Sequence, residues 1–182
     1  MSRVIQAALA VGASIAALVG SATTAYADPS TDAYTSVRLQ AEHSGKCLTI
    51  ENARIGSGAH AVQQPCADDL DNQIFKLRSR GPGTISVQAK HSGRCLAADK
   101  ISQDVTQLWC SDGSEQRWRV MLVEVAKDLY ELRPLDAPEY CLTIPYFIDD
   151  NGASSQADGS RAGIYPCNGA SNKRWRMLPA AS

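Results

Sequence analysis

The sequence is poor in the residues from which catalytic and metal centres are usually built. Its 182 residues hold three histidines, His43, His60 and His91, and no C-x-x-C pair. A Cys/His zinc site therefore has little to draw on, and no metal or cofactor is expected. Lys and Arg number 18 against 19 Asp and Glu, with no run rich in Lys or Arg. That balance lacks the electrostatic footprint of a nucleic-acid binder. No segment after residue 28 shows a long, capped helical period, and none has an apolar run of membrane-spanning length. Aromatics make up 6% of the chain. The neighbouring carboxylates Asp68-Asp69 and Asp149-Asp150 lie in loop-like stretches. Glycoside hydrolysis needs two carboxyls held across a cleft, so these read as solvated turn residues. No catalytic residue is assigned, and the chain is read as a non-enzyme.

What is present begins with a leader. Arg3 gives a positive start, an apolar run covers residues 4–19, and small residues end in Ala25-Tyr26-Ala27. This is the pattern of a secretory signal peptide cleaved near Ala27. Residues 1–27 are expected to be removed, giving a secreted chain of residues 28–182 without membrane insertion. Arg3 is the one charged side chain among them, so the net charge moves from −1 to −2. All six cysteines lie beyond the leader: Cys47, Cys66, Cys95, Cys110, Cys141 and Cys167. An even count behind a signal peptide implies disulfides, although six cysteines allow fifteen pairings.

Internal repetition narrows the choice. E-H-S-G-K-C-L-T-I at 42–50 returns as K-H-S-G-R-C-L-A-A at 90–98, and A-P-E-Y-C-L-T-I at 137–144 is a third, looser copy. Each copy is followed by a second Cys and then by an aromatic eight or nine residues later: Phe75, Trp118 and Trp175. V-R-L-Q-A, I-S-V-Q-A and W-R-V-M-L alternate apolar and polar residues, as half-buried strands do, between S-G, G-P-G and N-G turn signals. Roughly four short strands per block predict an all-β protein of about a dozen strands. Pairing the two cysteines inside each block, Cys47–Cys66, Cys95–Cys110 and Cys141–Cys167, applies one rule three times. Each such loop closure contributes about 3 kcal/mol on the chain-entropy account. Leu48, Leu96, Leu142 and the three terminal aromatics are the candidate core. A nucleophile–base reading of His43/Cys47 loses its thiolate to a disulfide.

S-G-x-C-L, a second Cys and then Q-x-W, three times in register, resembles the ricin-type β-trefoil lectin domain. The resemblance covers residues 37–179; Gln116-Arg117-Trp118 is a full Q-x-W, and 73–75 and 173–175 are degenerate copies. It implies a six-stranded barrel capped by three hairpins, a β-trefoil over residues 37–180 after a short 28–36 leader. The repeats would span about 37–83, 84–128 and 129–180, with one potential sugar pocket and one disulfide each. It also implies a site of an Asp two residues after the leading Cys, an aromatic platform two before the second Cys, and an Asn-Gln pair. Here the Asp position holds Thr49, Ala97 and Thr143. Glu51 and Asp99 lie nearby in sequence. The third repeat keeps Tyr165 as platform, Asn172 as amide and the Thr143 hydroxyl, with Asp149 or Tyr146 offered by the long 145–161 loop. The first offers Thr49, Gln64, Asn72 and Gln73. The second offers Gln116 and Trp109, which sits one residue too close to Cys110 and so is expected to face the other way. The function expected is that of a lectin-like, non-catalytic protein binding glycans or polysaccharide weakly per site. The alternative is a trefoil scaffold turned to protein binding or protease inhibition.

Overall fold

The computed structural model describes residues 35–145 and 157–180. Twelve strands follow one another: β1 (Thr35–Ala41), β2 (Cys47–Ile50), β3 (Ala59–Gln64), β4 (Phe75–Ser79), β5 (Ile85–Ala89), β6 (Cys95–Ala98), β7 (Val105–Leu108), β8 (Trp118–Glu124), β9 (Leu129–Pro134), β10 (Tyr140–Thr143), β11 (Gly163–Pro166) and β12 (Trp175–Pro179). Among the described residues the helical elements between them are short 3-10 turns, and none is long and apolar enough to cross a membrane.

Six of the strands close on themselves. Antiparallel pairings run β1–β4, β4–β5, β5–β8, β8–β9 and β9–β12, and β12 returns to β1. Closure leaves that barrel without an exposed edge. The other six form three hairpins, β2–β3, β6–β7 and β10–β11. The hairpins are joined in a cycle by three equivalent contacts: His60 against Thr106, Asp104 against Gly163 and Arg161 against Val62. Each repeat thereby leans on the next. This is the β-trefoil, with the three pairings Cys47–Cys66, Cys95–Cys110 and Cys141–Cys167 formed inside the repeats.

The repeated apolar residues fill the shared interior. Leu48, Leu96 and Leu142 are fully buried, as are Phe75, Trp118 and Trp175. At roughly 25 cal/mol per Å² and about 150–250 Å² per ring, each aromatic contributes on the order of 4–6 kcal/mol of burial. The indole nitrogens are satisfied the same way in two repeats. Trp118 Nε1 donates to the Leu96 carbonyl at 3.1 Å, and Trp175 Nε1 to that of Leu142 at 2.9 Å.

The His-Ser-Gly stretch is a connecting device. Gly45 and Gly93 turn the chain at φ of +66° and +68°, which favours glycine. Ser44 Oγ donates to Gln63 Oε1 at 2.9 Å, and Ser92 Oγ to Gln107 Oε1 at 2.6 Å. The two glutamines then donate to carbonyls of the preceding repeat's loop, Gln63 to Ala157 and Gln107 to Arg54 and Gly56. In the third repeat Ile164 takes the glutamine's place on the strand, and the serine is gone with it. The residues that anchor the cap thus change together.

Candidate functional site

Hairpin register decides which side chains share a surface, because residues directly opposite, and those two apart, point the same way. Cys47, Cys95 and Cys141 stand opposite Gln64, Leu108 and Tyr165. Two residues on, Thr49, Ala97 and Thr143 stand opposite Val62, Thr106 and Gly163. Each hairpin thus presents one equivalent surface, and each carries a cleft.

The first cleft, of about 570 Å³, brings together Thr49, Gln64 and Asn72 with Glu51 and Asn52 and an apolar wall of Val62, Pro65 and Leu70. Two of these polar groups are already engaged. Thr49 Oγ1 donates to the Cys47 carbonyl at 3.0 Å, and Asn72 Nδ2 to the Ile50 carbonyl at 2.8 Å. Glu51, two residues past the position of the missing Asp, supplies a carboxylate, paired with Arg54 at 3.6 Å. Gln73 is drawn away. It donates to the Pro65 carbonyl and accepts from the Ala67 N–H, both at 2.9 Å, and so fastens the chain after Cys66.

The second cleft, of about 550 Å³, has an apolar floor of Ala97, Ala98 and Leu108 and a rim of Asp99, Glu115 and Asp136, with Lys100 bonded to Asp136. Leu108 occupies the platform register. Trp109, one residue further, leaves the cleft, and its indole lies exposed under the Arg94 guanidinium, 3.5 Å from the ring centre. Gln116 repeats the role of Gln73, donating to the Trp109 carbonyl and accepting from the Ser111 N–H.

In the third repeat Thr143 Oγ1 donates to the Cys141 carbonyl at 2.7 Å and Asn172 Nδ2 to that of Ile144 at 2.9 Å. Both are buried, and neither lines the cleft of Tyr165. That cleft, of about 290 Å³, is made by Tyr165, Pro145 and the 160–163 stretch together with Gln103 and Asp104 of the second repeat. Asp104 arrives there because its backbone bridges Gly163. Gly163 is required by crowding: a Cβ on it would sit 2.7 Å from the Gln103 carbonyl oxygen and 3.0 Å from Tyr165 Cε2. Asp149 and Tyr146 lie outside the described residues.

Sequence reasoning missed Asp104. It is 61 residues before Tyr165, and no local motif marks it. At the glutamine position the third repeat has Lys173, buried, whose ammonium is pushed below the usual lysine range by desolvation, with Glu131 opposing. His43 is likewise held below its ordinary value by burial and then by Lys46, and its ring nitrogens have no hydrogen-bond partner among the described residues.

Comparison with known proteins agrees with this geometry. Residues 27–108 and 71–156 match the family described as ricin-type beta-trefoil lectin domain-like. No curated protein matches the chain. The designed threefold-symmetric protein ThreeFoil is 30% identical, with a TM-score of 0.67 over 79% of this chain and 97% of that one. The hemolytic lectin CEL-III is 20% identical, with a TM-score of 0.62 over 79% of this chain, which spans 30% of that protein. The Rhizoctonia solani agglutinin is 16% identical, with a TM-score of 0.63 over 80% of this chain and 95% of that one. On its matched sequence and its closed, three-hairpin barrel, the chain belongs to the ricin-type β-trefoil lectin domain-like family.

Proposed function

We propose that this is a secreted, non-catalytic carbohydrate-binding protein whose principal sugar site is the Tyr165 cleft. The observation that carries the reading is that Tyr165 and Asp104 line one small cleft. A pyranose needs a flat apolar surface for its C–H face and ionised or amide groups for its hydroxyls. Tyr165 supplies the first. Neither the Asp104 carboxylate nor the Arg161 guanidinium, which also lines the cleft, has a hydrogen-bond or ion-pair partner among the described residues. A carboxylate left free makes the stronger, charge-assisted bonds to hydroxyls. The first cleft, with Glu51, Asn52 and Gln64 but no aromatic, is a second and weaker site, and two weak sites on one rigid cap gain strength on a multivalent glycan. Three disulfides and the leader sequence support action outside the cell. A glycan array and polysaccharide pull-down on the mature protein test the reading. Tyr165→Ala and Asp104→Asn each should lose most binding, whereas silence on every glycan would sink it.

A second reading, protein binding, is favoured by the second cleft alone. Its floor is apolar, and Ile101 beside it is 96% exposed. Inhibition of a secreted protease, lost in Ile101→Asp and kept in Tyr165→Ala, would establish it.

A further inference from the structure

The turn before each leading Cys packs on the loop of the preceding repeat, so equivalent residues can be compared in three settings. In the first repeat Lys46 is neutralised by Asp158 of that loop at 2.6 Å, and the residue after the platform position is Pro65. The second repeat departs at both positions. Arg94 replaces the lysine, and its Nε donates to a loop carbonyl, that of Ile55, at 2.5 Å. No carboxylate lies within ion-pair distance of it among the described residues. Trp109 replaces the proline, 72% exposed, with the guanidinium laid against its ring. Ile55, whose carbonyl holds Arg94, is 68% exposed. His91 approaches the Arg54 carbonyl at 3.1 Å, so the same junction gathers Arg54, His91 and Arg94.

An exposed indole is common enough, but this one is held. Its backbone carbonyl accepts from Gln116, Cys110 follows it in a disulfide, and Arg94 fixes the ring. A held ring loses little rotamer freedom on binding. The unneutralised cation gives the spot a charge preference, since cations without counterions attract anions and stack well on indole. Trp109 does not line the second cleft, since it is one residue past Leu108, which does.

We infer that Trp109 and Arg94 form a fourth ligand platform, outside the three hairpin clefts, for an anionic glycan such as a uronate-bearing chain. The indole takes the C–H face of one pyranose while the guanidinium meets the carboxylate of that residue or its neighbour. This rests on the reading of the chain as glycan-binding but uses none of the residues of the Tyr165 cleft.

Acrylamide quenching of tryptophan emission tests it on the mature protein. Trp118 and Trp175 are fully buried, so quenching reports Trp109. Trigalacturonate should shield Trp109, and neutral galactotriose should not. Arg94→Gln should weaken trigalacturonate by about tenfold, the equivalent of roughly 1.4 kcal/mol, and added salt should weaken it further. Trp109→Ala should remove the heat of trigalacturonate binding in calorimetry, and Tyr165→Ala should leave it intact. Trigalacturonate that leaves quenching unchanged would overturn the inference. So would binding indifferent to Arg94→Gln, or binding lost in Tyr165→Ala. Neutral-glycan binding that is absent while trigalacturonate still shields Trp109 would remove the cleft reading and uphold this one.

Discussion

Replacing Gly163 with alanine tests the packing that builds the Tyr165 cleft. The equivalent positions of the other hairpins hold Val62 and Thr106, so a side chain is compatible with the register itself. Gly163 is not among the residues at positive φ, so alanine meets no backbone strain either. What it meets is the Gln103 carbonyl oxygen at 2.7 Å and the Tyr165 ring at 3.0 Å. The first contact is backbone and cannot swing aside, so the chain leading into β7 must retreat by several tenths of an ångström. Overpacking of this kind costs about 1–3 kcal/mol. For a domain of this size that is a fall in Tm of about 3–10 °C. Urea unfolding should show a lower midpoint with an unchanged slope. The retreat also carries Asp104 away from Tyr165, so glycan binding should fall in the folded protein at low temperature. Thr106→Ala, which removes atoms at the equivalent place, should cost less than Gly163→Ala. A Gly163→Ala protein as stable as the parent would refute the reasoning, because the crowding would then be absent.

Three further outcomes follow from buried groups. Lys173→Gln should make the two hydrogen bonds that Gln73 and Gln116 make and relieve a buried ammonium, raising stability by about 1–2 kcal/mol in urea titration; a loss would show that the attraction of the Glu131 charge matters more. Trp118→Phe should cost about 1–3 kcal/mol, because the Leu96 carbonyl loses its donor at 3.1 Å in a buried place. His43 is held below its ordinary 6.5, so the unfolded chain takes up this proton first as the pH falls through that value. Its contribution to stability is therefore complete above 6.5 and declines on acidification until the folded-state value is passed. The urea midpoint of His43→Gln should fall less steeply than the parent's between about pH 7 and pH 5, and parallel slopes would remove His43 from the explanation.

Much of the fold was legible because it repeats. Three copies of one order of residues, a leading Cys, a second Cys and a closing aromatic, sufficed to pair Cys47 with Cys66, Cys95 with Cys110 and Cys141 with Cys167, and the aromatic at each copy's end pointed to the core. The alternation rule also puts Trp109 out of its cleft, and its absence from that lining agrees. The candidate site was legible only in part. Thr49, Gln64 and Asn72 do line one cleft, whereas Thr143 and Asn172 do not line that of Tyr165. Thr49, Asn72, Thr143 and Asn172 each spend a donor on a nearby carbonyl, which residue type does not reveal. Gln73 and Gln116 are engaged in the same way with the chain after the second Cys.

The sequence by itself determined the three-block architecture, the disulfides and the interior, since all three follow from periodicity and local chemistry. Tertiary structure alone decided which side chains meet at the clefts. Asp104 comes to the cleft of Tyr165 only through a bridge between different repeats. Arg94 has no counterion among the described residues because the adjoining loop meets it with the Ile55 carbonyl while its Glu51 pairs with Arg54. Contacts between distant segments depend on how the hairpins lean on one another, and that arrangement leaves no mark in either segment's own pattern.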